Sequence, residues 1–212
     1  MQTADGRRSR LRLLVGGALM ACWLAGAAPA SATLIGTTDI VPTTAIGPCV
    51  ECLAGRVWLI GEITDGITAD SGPSYNGFAG ETGVVGTIHL DLVGTFNLSR
   101  FLLWNDINVS HEGVATFRLD FFDEANAFIS SSLIYDAPVS QLAAGEYDFA
   151  SVLGVGSVDL VVLSNLPSGA GERIEIREVA FEGEAVPEPA TAGLLALGLA
   201  GLGLAWHRRK AV

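Results

Sequence analysis

Asp65 and Asp70 share a short loop with Gly66 and Thr68, and Glu178 stands in the last strand-like segment of the chain. Calcium is held by carboxylate and carbonyl oxygens, which an acidic, glycine-containing loop can wrap around it, so this set would suit calcium. Without a metal, Asp65-Gly66 is a plain turn and Glu178 a solvated strand residue. A second group, Tyr75 and Asn76 near Phe78, with Trp104, Asn105 and His111, offers rings that stack on sugar faces and polar groups that bind hydroxyls. The plainer reading puts Phe78 and Trp104 in a core. Cys49 and Cys52, in Gly-Pro-Cys-Val-Glu-Cys, are predicted to form a local disulfide in an oxidising compartment. A redox centre would need the first cysteine to open a helix, and zinc would need two further ligands. His89 and His111 have no Gly-x-Ser-x-Gly nucleophile nearby, and the chain has neither a glycine-rich phosphate loop nor a His-Glu-x-x-His motif. The chain therefore reads as a non-enzyme.

The elements that must position these residues have a period of two. Ile88, Leu90 and Leu92 alternate with polar residues, as do Phe117, Leu119 and Phe121, and then Val158, Leu160 and Val162. Arg173–Phe181 carries Ile174 and Ile176, and further apolar runs occur at Arg56–Ile60, Leu98–Trp104 and Phe128–Tyr135. Turn residues separate them, as at Asp65-Gly66, Ser71-Gly72-Pro73, Asn76-Gly77 and Pro167-Ser168-Gly169. Seven or eight short strands without an amphipathic helix predict an all-β fold, an antiparallel jelly-roll β-sandwich.

Both ends of the chain carry a different signature. Arg7, Arg8, Arg10 and Arg12 precede the apolar run Leu13–Ala27, and Ala30-Ser31-Ala32 supplies small residues for cleavage, so residues 1–32 read as a signal peptide. A twin-arginine signal at Arg7-Arg8 and a lipoprotein box at Leu19–Cys22 are the rival readings. At the other end, Val186, Pro187, Glu188 and Pro189 lead into an apolar stretch, Ala190 to Trp206, of 17 residues, closed by His207, Arg208, Arg209 and Lys210. As a helix that stretch would reach roughly 26 Å, a marginal bilayer span, with the basic end held on the cytoplasmic side. Between the two ends, Thr33–Ala185 is one domain's length. It holds five arginines and no lysine against 21 of the 23 acids, all but Asp5 and Glu188, for a formal charge of −16. Such a surface repels phosphate backbones, so nucleic acid is excluded as a partner.

The Pro-Glu-Pro mouth, apolar segment and basic stop resemble the PEP-CTERM sorting signal of Gram-negative bacteria. That resemblance implies an exosortase as partner, a membrane precursor held by the C-terminal helix (192–206), and delivery to the cell surface or extracellular matrix. A plain unprocessed anchor is the alternative. The strand patterns at Leu98–Asp106, Phe117–Asp123, Val158–Asn165 and Ile176–Gly183 resemble discoidin-like domains, also called F5/8 type C or galactose-binding-like, over about 56–183. That resemblance places a structural calcium at Asp65-Gly66-Ile67-Thr68 with Glu178 completing it. The expected organisation is a signal peptide (1–32), a lead-in with the cysteine pair (33–55), a sandwich (56–185) and a sorting signal (186–212). The expected function is non-catalytic binding of an extracellular polysaccharide. A purely structural matrix protein is the first alternative, and a glycan hydrolase the second.

Overall fold

The computed structural model describes residues 32–50, 52, 57–68, 76–106, 112–137, 142–165 and 173–187. The predicted signal peptide, the apolar tail and its basic stop lie outside these residues. No helix among the described residues is long and apolar enough to cross a membrane.

Nine strands follow in order: β1 (Thr33–Ile35), β2 (Ile40–Thr44), β3 (Phe78–Ala79), β4 (Thr87–Asn105), β5 (Val114–Phe122), β6 (Phe128–Ser131), β7 (Tyr135–Asp136), β8 (Gly145–Asn165) and β9 (Glu175–Ala185). Every pairing among them is antiparallel. Two strands are far longer than the sequence predicts: β4 has 19 residues and β8 has 21. Each serves both layers of the sandwich. The first part of β4, Ile88–Leu92, pairs with β2, whereas Phe96–Asn105 pairs with β9. β8 runs beside β4 along both parts, and its second part also carries β5, which in turn carries β6 and β7.

The passage between layers is a bend marked by register shifts after Asp91 and Phe96. Gly94 lies there at φ 118° and Gly154, on the partner strand, at φ 71°, conformations that a side chain disfavours. Glycine and bulges are the means by which a strand turns a corner without losing its ladder.

The two layers close on one core. Ile88, Leu90, Leu98, Phe101, Leu103, Phe117, Leu119, Val158, Leu160, Ile176, Val179 and Phe181 are all buried. Phe101 lies beside Tyr147 and Phe181 in its own layer and meets Phe117 of the other edge-on, at 5.6 Å between ring centres. The predicted inward faces at Ile88/Leu90/Leu92, Phe117/Leu119/Phe121 and Val158/Leu160/Val162 are the observed ones.

Two predicted strands differ. Val57–Leu59 is irregular and Ile60–Thr64 is a 3-10 turn. Trp58, Ile63 and Thr64 alone are buried in this segment, Trp58 against Cys49 and Ala79, and Asp65-Gly66 ends it before a ladder can form. The run Phe128–Tyr135 is broken at Ser132, whose hydroxyl accepts the Leu119 N–H (2.9 Å), a bond that a strand neighbour's carbonyl would otherwise take.

Candidate functional site

β9 begins, and β4 and the second part of β8 end, at the edge of the sandwich farthest from the bends. Asn105 terminates β4 and substitutes for a missing strand neighbour. Its amide nitrogen donates to Val114 O (2.7 Å) and its oxygen accepts the Val114 N–H (2.9 Å). Gly113 stands at φ 118° where a Cβ would meet that amide oxygen at 2.6 Å, so only glycine lets the two segments approach.

Arg177 is the largest fully buried side chain among the described residues, at 2% exposure. Its guanidinium donates to Asn105 O (2.8 Å), Thr68 O (2.7 Å) and Leu142 O (3.3 Å). The fork thus ties β9 to the end of β4, to the segment before residue 69 and to the segment before β8.

Beside it lies a second basic group. Arg173 pairs with Glu112, approaches Glu175 Oε1 at 3.4 Å, and turns its Nη1 to both sulfurs of the Cys49–Cys52 disulfide. The disulfide joins the two cysteines, as expected from their spacing. Asp106, Glu112 and Glu175 are all buried, and one carboxylate oxygen from each lies within 4.8 Å of the other two. Arg173 supplies compensating charge to two of them. A small cleft with room for about one water, lined by Trp58, Asn76, Asp106, Glu175 and Arg177, opens next to this group. It is too small for a sugar ring.

The predicted calcium residues are partly brought together. The Gly66 N–H donates to Glu178 Oε1 (3.1 Å), joining the Asp65-Gly66 turn to β9. Glu178 is buried at 4% exposure, and its Oε2 has no hydrogen-bond partner among the described residues. Burial pushes its carboxyl up to about 8, against the pull of the Gly66 N–H, and the nearby Asp65 charge pushes the same way. When ionised, such a buried carboxyl oxygen beside a second carboxylate is the type of oxygen donor that calcium takes. Asp65 itself is well held. Its Oδ1 accepts the Ile67 N–H (2.9 Å) and its Oδ2 accepts from Asn76 Nδ2 (2.7 Å).

The remaining predicted residues fall as follows. Asn76 is buried and spends its amide on Asp65 and on Glu62 O (3.5 Å). Trp104 is half-buried and pairs in register with Glu178, while the alternate residues Phe101 and Leu103 point into the core. Phe78 is a core residue. His89 bonds Asp159 across β4 and β8 (Nδ1 to Oδ1, 2.7 Å). Tyr75, Asp70 and His111 lie outside the described residues, as do Glu188, Pro189, Arg208, Arg209 and Lys210. The described neighbours of Tyr75 and His111, Asn76 and Glu112, are both at the site edge. Sequence reading missed Arg177, Arg173, Asp106, Glu112 and Glu175. The one signal available was charge inside apolar runs, as at Ile174-Glu175-Ile176-Arg177.

Residues 185–210 match the PEP-CTERM protein-sorting motif. No curated protein matches the chain in sequence. Solved structures match its fold over about 70% of its length. A family 32 carbohydrate-binding module (CBM32-3) from a family 31 glycoside hydrolase of Clostridium perfringens aligns with a TM-score of 0.57 at 9% identity. That match covers 71% of this chain and 95% of the module. The family 32 module of Clostridium perfringens NanJ, solved in complex with galactose, aligns with a TM-score of 0.52 at 8% identity, over 72% and 99% of the two chains. A Streptococcus pneumoniae fucose-binding module aligns with a TM-score of 0.54 at 13% identity, over 70% and 96%. The chain is thus an all-β antiparallel sandwich like those of the family 32 and discoidin-like galactose-binding modules, followed directly by a PEP-CTERM sorting motif.

Proposed function

We propose that this is an exported surface protein, sorted by an exosortase, whose sandwich binds an extracellular glycan without catalysing a reaction. The observation that carries the reading is the joining of the two parts. A sandwich like that of sugar-binding modules ends at Ala185, and the sorting motif begins at that same residue. Calcium, held by Asp65 and Glu178, would fix the Asp65-Gly66 turn to β9 and thereby set the loops at the site edge. Aromatic stacking by Tyr75 and Trp104, with hydrogen bonds from Asn76 and His111, remains the proposed sugar contact. The half-buried Trp104 and the buried, engaged Asn76 give the ring the larger share.

A glycan array probed with purified Thr33–Ala185, with calcium and with EDTA, tests this. Binding to a defined sugar is expected, falling at least tenfold in Tyr75→Ala or Trp104→Ala while the fold persists. Unchanged affinity in both variants removes these contacts. A silent array from folded protein would favour a matrix protein working through protein contacts. For that reading the specific observation is the exposure of Ile129, Leu133 and Ile134 along the β6 edge.

Replacing Pro187, Glu188 and Pro189 together by alanine is expected to leave an unprocessed precursor in the membrane fraction. Normal maturation of that variant, followed by immunoblot, would show that the motif does not direct processing.

A further inference from the structure

The edge opposite the site has its own character. β9 spans about 35 Å over its 11 residues, from Glu175 at the site edge to Ala185 at the bends. Val186 then donates its N–H to Thr95 O (2.8 Å), so the chain leaves the sandwich beside the β4 bend. Three apolar side chains stand exposed at this end: Val93 in the β4 bend (60%), Leu153 in the β8 bend (66%) and Phe128 at the start of β6 (60%). The two bends are joined by the Gly154 N–H, which donates to Asn97 Oδ1 (3.0 Å). Gly156 lies against the Glu124 backbone, which brings the turn before Phe128 to the same end.

Only residues 188–191 separate Pro187 from the apolar run that starts at Ala192. Fully extended, they reach roughly 15 Å, little more than the depth of a headgroup layer. While the tail is in a bilayer, the bend end has nowhere to be but at its surface.

We propose that in the tail-bearing precursor this end is a foot resting on the lipid, with Val93, Phe128 and Leu153 dipping into the headgroup layer and the site edge held outward. The proposal rests on the reading of the tail as a membrane segment. The neighbouring charged residues Asp39, Asp123, Glu124 and Glu184 are acidic, so the contact is apolar and suits zwitterionic lipid. Anionic lipid weakens it.

The test uses the chain Thr33–Val212 reconstituted into phosphatidylethanolamine/phosphatidylcholine vesicles. An environment-sensitive dye is placed by Leu153→Cys or, as control, by Leu142→Cys. Leu142 is as exposed (62%) but sits at the site edge, where its carbonyl accepts from Arg177. Brominated lipid is expected to quench the dye at 153 several-fold more than at 142, with the difference shrinking as phosphatidylglycerol is added. Equal quenching in protein that floats with the vesicles overturns the foot alone. Failure to float overturns the membrane-segment reading and the foot with it. Burial of the dye at 153 only in native membranes containing an exosortase would make the partner a protein and overturn the lipid contact.

Discussion

Metal-free protein is expected to lose stability as the pH rises from about 4.5 to about 8, and calcium to restore it. The cause is Glu178, whose carboxyl titrates near 4.5 in an unfolded chain and at about 8 in its buried position. Below 4.5 both states hold the proton and the group is neutral in its effect. Between the two values the unfolded chain gives up the proton while the folded one keeps it, so each pH unit costs about 1.4 kcal/mol. The full span is on the order of 5 kcal/mol. Above 8 the folded carboxylate is ionised and the penalty is complete. Calcium binding to the ionised form reverses this. At a hundredfold excess over its Kd it adds about 2.7 kcal/mol, enough to raise Tm by roughly 5–10 °C. Thermal melts at pH 5 and pH 8, each with calcium and with EDTA, check the expectation. Glu178→Gln should flatten the pH dependence and abolish the calcium shift, since the amide keeps the acceptor for Gly66 and removes the charge. A melting temperature indifferent to pH and to calcium would show that the Glu178 oxygen has a partner in solution and that the site holds no cation.

Arg177→Ala should cost about 4 kcal/mol. Removing the guanidinium leaves the carbonyls of Asn105, Thr68 and Leu142 without its donors and opens a cavity where the largest fully buried side chain stood. Arg177→Lys should recover only part of the loss, because the three donors of an ammonium sit on one nitrogen, whereas the three carbonyls are met by Nε, Nη1 and Nη2. Urea unfolding of the three proteins measures this, and the loss should fall on the site edge first, as faster proteolysis near residues 69 and 142. A loss below about 1 kcal/mol in Arg177→Ala would mean that the loops hold their positions without it.

The sheet faces were legible because alternation is a local property. Ile88-His89-Leu90 and Phe117-Arg118-Leu119 state their inward side without reference to any partner. The length of β8 was not legible. Tyr147, Val152 and Val155 face inward across small and acidic residues, with Gly154 interrupting the period, so Gly145–Val155 shows no clean pattern. β1 and β2 were missed because three to five residues carry too little periodicity to stand out. Asp65 and Glu178 are joined by Gly66, but nothing in the sequence showed that Glu178 is buried. Charge at an alternating position normally means solvent. In β9 the turn at Asp65-Gly66 covers Glu178, while the register shift between Trp104 and Asn105 gives Arg177 its inward place. Both are tertiary events.

The sharing of β4 and β8 between layers bears on when the protein can fold. Neither sheet is a unit that forms ahead of the other, and the closing strand is the last one made. β9 lies between β1 and β4, and Thr33 bonds Gly183 across 150 residues of sequence. Contacts of such range make folding slow and leave β1, β3 and the second part of β4 without their β9 partner in the meantime. A chain delivered across a membrane N-terminus first therefore stays open until β9 has emerged, which is the moment at which Val186 and Pro187 follow it out. Completion of the sandwich and arrival of the sorting motif are one event in time, so an exosortase that meets the motif meets it on a domain that has just been able to close.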